Sequence, residues 1–329
     1  MRRTAPVLAC VAVIALAGCS SSNSGNSAAP KLTACAPSAS SASASPSIAP
    51  AAAWTSDVPT VSGAFGDKPA LSFTGSAPTD LLCGVISEGT GPVVLKGQLL
   101  VADYLGQVWN GKVFDNSYDR KASSGFQIGA GQVIPGWDNT LVGQKVGSRV
   151  LISVPPAAGY GAAGSSDGSI KGTDTIVFVV DIVSAYSADA KSGVASTPAA
   201  AAPKGITVTG AVGTKPTIKI TKGTAEPTKQ VTTILDKGAG APLADGLAIV
   251  QYEAVGWTGA AAGSTWTVGA VQGVPVTKSG TASPFNALAG VPVGSRVLLE
   301  LPKTSNGGPY AIVVDIIAHA PTAKESLAG

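Results

Sequence analysis

From Trp54 onward the chain alternates short aliphatic and β-branched runs with Gly and Pro punctuation: Ala70 to Phe73, Leu81 to Ser87, Gln98 to Leu105, Arg149 to Val154 and Thr175 to Val183. Runs of this length and composition predict strands bounded by turns. One stretch departs from the pattern. Gly136 to Val142, with Pro135 suited to a first helical turn and Gly143 to a terminus, predicts a single short helix. A sheet of about five strands with one short helix has an economical solution, in which the sheet curves around the helix and buries a face against it. The class expected is α+β.

The pattern is interrupted twice. Residues 20–53 are almost entirely Ser, Ala, Pro, Asn and Gly, a composition that buries too little apolar surface to offset its ordering entropy and reads as a disordered tether. Residues 187–204 return to Ala, Ser, Pro and Lys and read as a linker. Beyond it the first domain repeats. Val-Ser-Gly-Ala-Phe-Gly-Asp-Lys-Pro ending at Pro69 returns as Val-Thr-Gly-Ala-Val-Gly-Thr-Lys-Pro ending at Pro216, an offset of 147 (216 − 69), and Val146 to Leu151 returns as Val293 to Leu298 at the same offset. Val179-Val180-Asp181-Ile182 returns as Val313 to Ile316 at 134, so the second copy lacks 13 residues between those markers (147 − 134). This is a duplication, with domains expected at 54–186 and 205–320 and a tail at 321–329.

Ahead of the tether, Arg2-Arg3 precedes an apolar run from Ala5 to Ala17, then Leu16-Ala17-Gly18-Cys19 and three serines. The run is shorter than the ~20 residues of a spanning helix and suits a secretory signal. Small residues before a cysteine resemble the lipobox of bacterial lipoproteins. That resemblance implies a signal at 1–19, cleavage and acylation at Cys19, and an anchor on the extracytoplasmic side of the cell membrane. Export would leave Cys35 and Cys83 as the cysteine pair in an oxidising compartment, where a disulfide and two free thiols both stay open, because sequence gives no Cα separation. The net charge of +3 is diffuse, with no Lys/Arg run beyond Arg2-Arg3, so a nucleic-acid footprint is absent.

Aromatic residues make up only 5% of the chain, yet Phe114, Phe126 and Trp137 fall within one stretch of turns. Rings at turn edges can line a concavity, and an apolar pocket is expected there. On local grounds alone Tyr104 and Phe178 read as core, Asp115 before Asn116-Ser117 as a turn aspartate, and Tyr160 between two glycines as a loop anchor. Gly159 to Gly164 matches G-x-G-x-x-G, but Ser165-Ser166-Asp167-Gly168 cannot open the helix that a dinucleotide site needs. The only histidine, His319, lies in the second copy with no triad motif beside it, and no Cys/His cluster has zinc spacing. No cofactor or metal is expected.

Tyr104, Phe114-Asp115, Phe126-Gln127-Ile128-Gly129, Gln132-Val133-Ile134-Pro135-Gly136-Trp137, Val146-Gly147, Pro155-Pro156, Gly159-Tyr160-Gly161 and Phe178 stand in an order and spacing that resembles the FKBP-type peptidyl-prolyl cis-trans isomerases, over about Glu88 to Val183. The resemblance implies two tandem FKBP-like domains, each an antiparallel half-barrel wrapped around a short helix. In the first, Trp137 would floor a proline pocket walled by Tyr104, Phe114, Phe126, Val133, Ile134 and Phe178. The Ile134 N–H and the Tyr160 hydroxyl would bond substrate carbonyls, with Asp115 at the rim. It further implies proline-containing exported polypeptides as substrates and macrolides of the tacrolimus and rapamycin type as ligands; a monomer is expected.

Residues 162–172, rich in Gly and Ser, depart from the family and suggest a mobile lid with Ile170 leaning over the pocket. In the second copy Tyr252 matches Tyr104, Trp266 is expected where Phe114 stands, and Pro284 falls opposite Trp137. That copy is expected to be degenerate and inactive, serving as a spacer, a packing partner or a site for unfolded chains. The competing reading of the whole chain is a non-catalytic chaperone or scaffold.

Overall fold

A computed structural model describes residues 29–37, 49–278, 283–305 and 307–327. The expected signal at 1–19 and the acylation at Cys19 lie outside the described residues. Among the described residues, no helix is long and apolar enough to cross a membrane.

The first half holds β1 (Thr33–Ala34), β2 (Thr60–Ser62), β3 (Ala70–Ser72), β4 (Leu82–Ser87), β5 (Leu99–Val108), β6 (Val113–Asn116), β7 (Ser124–Gln127), helix α1 (Pro135–Leu141), β8 (Arg149–Val154) and β9 (Ile176–Tyr186). The second holds β10 (Ser196–Pro198), β11 (Ile206–Thr209), β12 (Thr217–Ile220), β13 (Val231–Gly238), β14 (Gly246–Gly256), β15 (Ala261–Ser264), α2 (Thr265–Val268), β16 (Gln272–Val276), β17 (Arg296–Leu301) and β18 (Tyr310–Ala320). Each half forms a seven-stranded sheet. The orders are β1-β4-β8-β9-β5-β6 with β7 also on β5, and β10-β13-β17-β18-β14-β15 with β16 also on β14. All ladders are antiparallel, and the two orders coincide strand for strand.

Short ribbons, β2–β3 and β11–β12, flank the sheets. One buried arginine holds each. Arg149 forks onto Asp181 through Nε and Nη2 at 2.6 and 2.7 Å and donates to the carbonyls of Gly63 and Asp67. Arg296 repeats this on Asp315, Gly210 and Thr214. Both arginines are 1% exposed, so these charges need their bidentate partners to be tolerated.

Helix α1 sets Trp137 and Leu141 into the core with Leu100, Ala102 and Tyr104 of β5 and Phe178, Val180 and Ile182 of β9. The expectation that each sheet wraps a short α-helix is corrected for the second half, whose α2 lies between β15 and β16. There a 3-10 turn, Pro284–Leu288, occupies the place of α1. Pro284 lacks an N–H and belongs in a first turn.

Three boundaries are also corrected. Within the expected tether, β1 pairs with β4, the Cys35 and Cys83 sulfurs are joined with Cα atoms 5.6 Å apart, and Ala52 bridges Leu82. The supposed linker contributes β10 to the second sheet. The supposed tail docks on the first half, where Ala323, fully buried, donates its N–H to Asp103 at 2.6 Å. Composition misleads here because backbone pairing needs no apolar side chain.

The halves share a core. Leu99, Val101 and Val183 pack with Leu247, Ile249, Val271 and Ile317.

Candidate functional site

Alternation along β5 turns Leu100, Ala102 and Tyr104 to the inner face, so Tyr104 reaches the region above α1. Phe114 and Asp115 arrive on β6, Phe126 on β7 and Phe178 on β9. Val133 and Ile134 lead into α1, and Ile134, as its N-cap, keeps its N–H outside the intrahelical ladder. Tyr160, 42% exposed, follows β8 in the loop between two 3-10 turns.

These nine side chains, with Gln132, line one cavity of about 320 Å³. Trp137, 3% exposed, is its centre. Its ring meets Phe126 at 4.8 Å, Phe178 at 5.2 Å and Tyr104 at 5.4 Å, all edge to face at interplanar angles of 75–85°. Edge-to-face contact places positive ring edges on negative ring faces and stiffens the wall. Phe114 meets Phe178 in the same manner at 5.7 Å.

That last pair depends on Gly106, which the sequence reading missed. A Cβ at Gly106 would stand 2.6 Å from Phe114 Cζ and 2.8 Å from Phe178 Cε1. The two rings close over the bare backbone. A strand-interior glycine beside aromatic positions was the available signal.

Arg120 was also missed. The Tyr104 hydroxyl donates to Asp115 Oδ2, while Arg120 donates to Asp115 Oδ1 at 2.5 Å and to the Tyr104 oxygen at 3.0 Å, with its guanidinium 5.6 Å from the Tyr104 ring centre. Burial and the Asp115 hydrogen bond push the Tyr104 hydroxyl up to about 12. Burial would raise Asp115, but the bonds from Tyr104 and Arg120 outweigh it and hold the carboxyl below its usual range. Tyr160 is raised, chiefly by burial and then by Asp115. The rim therefore carries a fixed carboxylate and neutral phenols at ordinary pH. Asp138 is a third omission; it accepts from the N–H groups of Gly129 at 2.6 Å and Gly131 at 2.8 Å, fastening the turn that delivers Gln132 to Ile134.

The expected mobile lid differs from what is found. Ile170 is 3% exposed and packs into the core, and it is not part of the cavity lining. Ser165 closes the loop by accepting from the Ile170 N–H and donating to Asp167. Side-chain-to-backbone bonds of Ser and Asp supply the order that the Gly/Ser composition hides. Gly159 to Gly164 holds only 3-10 turns, with no helix opening on the third glycine.

The FKBP-type peptidyl-prolyl cis-trans isomerase profile matches residues 91–183. An FK506-binding protein of Streptomyces anulatus is 41% identical over 119 residues, 36% of this chain and 96% of that protein. The chain belongs to the FKBP-type peptidyl-prolyl cis-trans isomerase family. An FK506-binding protein of Neisseria meningitidis serogroup A is 37% identical over 101 residues, 31% of this chain and 92% of its own. The chloroplastic FKBP13 isomerase of Arabidopsis thaliana is 40% identical over 102 residues, 29% of this chain and 49% of its own length. A crystal structure of AtFKBP13 aligns over 33% of this chain and 94% of that one, at 34% identity and a TM-score of 0.30. The isomerase acts on Xaa-Pro peptide bonds, whose rotation is opposed by a barrier of ~18–20 kcal/mol.

The second half of the isomerase carries other residues at the pocket positions. Its β14–β15 pairing, Glu253 with Ser264 and Ala254 with Gly263, repeats Leu105 with Asn116 and Gly106 with Asp115 at an offset of 148. Ala262 therefore stands where Phe114 does, and Gly263 where Asp115 does. The expectation for Trp266 is corrected: it falls opposite Tyr118, as Thr265 bonding the Tyr252 N–H falls opposite Ser117 bonding that of Tyr104. The strand registers put Val274 at Phe126 and Ile312 at Phe178. Ala254 stands where Gly106 does, and its Cβ is accommodated because both rings it would strike are gone.

Proposed function

We propose that the first half catalyses Xaa-Pro rotation in the 320 Å³ cavity, with the nine lining residues as its working surface. The single observation that carries this is the convergence on Trp137 of Phe126, Phe178 and Tyr104 around a void on the scale of a proline ring. The twisted amide of the transition state has lost resonance and is less dipolar than the planar ground state. A water-poor aromatic cleft holds it relatively better, and that difference lowers the barrier. The Ile134 N–H and the Tyr160 hydroxyl would donate to carbonyls flanking the proline, and the Asp115–Tyr104–Arg120 triad keeps the rim rigid. Macrolides of the kind the family binds would compete for the same hollow.

The second half is, in this reading, a degenerate copy without isomerase activity, since Ala262, Gly263, Val274, Pro284 and Ile312 stand where Phe114, Asp115, Phe126, Trp137 and Phe178 do, and leave Tyr252 with Phe285 at 6.1 Å in place of the four-ring cluster around Trp137. The lipobox-like Leu16-Ala17-Gly18-Cys19 supports an extracytoplasmic, lipid-anchored enzyme that assists folding of exported proteins. The Cys35–Cys83 bond accords with an oxidising compartment.

The test is a protease-coupled assay of a short Xaa-Pro peptide with the full chain and with Phe126→Ala. Acceleration over the uncatalysed rate, reduced about tenfold or more in the variant, is expected. A folded full chain that gives no acceleration would overturn the catalytic reading. An unacylated Cys19 in the mass spectrum of the native protein would overturn the anchor.

A further inference from the structure

A second hollow lies between the halves, beside the isomerase pocket. Its volume is about 850 Å³, and Phe126, Gln132 and Val133 line both. The far wall comes from the second half, including Tyr252, Val268 and Gln272. Gly125 and Gly273, both in its lining, bring the halves into contact. A Cβ on Gly125 of β7 would stand 3.6 Å from the Gly273 Cα of β16 and 3.3 Å from Leu247.

No residue described as lining this cleft is charged, although charged residues are 12% of the chain. Its polar groups are amides, hydroxyls and backbone, with Gln132 and Gln272 in the lining beside apolar Leu99 and Val271. Val268, 74% exposed, forms part of the lining as an uncovered apolar side chain. A charged side chain entering such a space would be desolvated without a counter-ion, whereas uncharged peptide can exchange water for amide partners.

We infer that this cleft is an extended subsite for the substrate polypeptide: the chain flanking the bound proline runs past Phe126 and Val133 into the cleft, where uncharged residues are preferred. The inference rests on the isomerase reading of the pocket. It assigns the second half a binding role that needs no catalytic pocket of its own. The open cleft accommodates several residues of extended chain at about 3.3 Å each, and the continuity of the two hollows gives that segment only a short path from the proline.

The test compares three peptides sharing one Xaa-Pro core: a short one, one of about ten residues with uncharged flanks, and one of that length with Asp in the flanks. With the full chain, the uncharged long peptide should show a kcat/KM about tenfold above the short one, through KM and not kcat, and the Asp-bearing peptide should lose that gain. In the double variant Val268→Glu/Gln272→Glu, both exposed positions outside the proline pocket, the gain should vanish while the short peptide is turned over as before. Equal kcat/KM for the short and uncharged long peptides, or a gain that survives in the double variant, overturns the inference. If no peptide is turned over, the isomerase reading fails instead. Fluorescence anisotropy of the labelled long peptide then decides the cleft: binding weakened by the double variant supports it, and absent or unaltered binding refutes it.

Discussion

Trp137→Leu separates packing from catalysis. The indole makes three edge-to-face contacts at 4.8–5.4 Å, each contributing about 0.5–1.5 kcal/mol beyond buried area. Leucine keeps an apolar group on α1 but removes the ring and leaves a void between Phe126 and Phe178. Together these effects predict a loss of about 2–4 kcal/mol in unfolding free energy. If the indole is also the floor against which proline rests, kcat/KM falls about 10–100-fold, equivalent to roughly 1.4–2.7 kcal/mol of transition-state stabilisation. Urea unfolding followed by circular dichroism gives the first quantity. Xaa-Pro peptide turnover, at a temperature where the variant is fully folded, gives the second. Trp109→Leu is the control: Trp109 packs against Phe73 at 4.8 Å in a separate cluster that does not line the cavity, so it should cost stability and leave kcat/KM unchanged. A Trp137 variant with a lowered midpoint and kcat/KM within about twofold of the parent would show that the indole is core alone.

Other expectations follow from the same geometry. Gly106→Ala should cut kcat/KM at least about tenfold by driving Phe114 and Phe178 apart, whereas Ala254→Gly in the second half should leave it unchanged; equal, small effects in both would refute the packing argument. Replacing Cys35 and Cys83 together by serine opens a loop spanning a sequence separation of 48, which chain-entropy reasoning values at about 4 kcal/mol; an unfolding midpoint unmoved by reduction would contradict it. Asp115 is held below its usual range and Tyr104 is raised to about 12, so neither changes charge between about pH 5 and 9, and kcat/KM should be flat across that window. Because the Asp115 value is depressed in the folded chain, its stabilising contribution is present above the unfolded value near 3.9 and is lost as pH falls through the folded one. A sigmoidal activity profile centred near pH 7 would sink this account.

Aliphatic composition and Gly/Pro punctuation were enough for β8, found at Arg149–Val154 as expected, and for α1, displaced by one residue from its expected span. Both are long or strongly punctuated, and local preference agrees with burial in each. The family resemblance, carried by the order of aromatic and glycine positions, named nine side chains that the structure brings around one void. Strands β1, β6, β7 and β10 were not legible, because they are short, poor in apolar residues and exist only by pairing with longer neighbours.

What the sequence determined by itself was the strand-rich class, while its internal repeat pointed to a second copy and its resemblance to a known family pointed to the side chains of the pocket. What only tertiary structure decided was which groups lie beside them. Arg120 locks onto Asp115 and Tyr104, Gly106 makes room for two rings, and Ala323 caps Asp103 from 220 positions away. The neutral cleft between the halves is likewise invisible in one dimension, since its walls are assembled from strands of both copies. Such contacts depend on distance through space, which a backbone folded by non-local strand pairing does not preserve as distance along the chain.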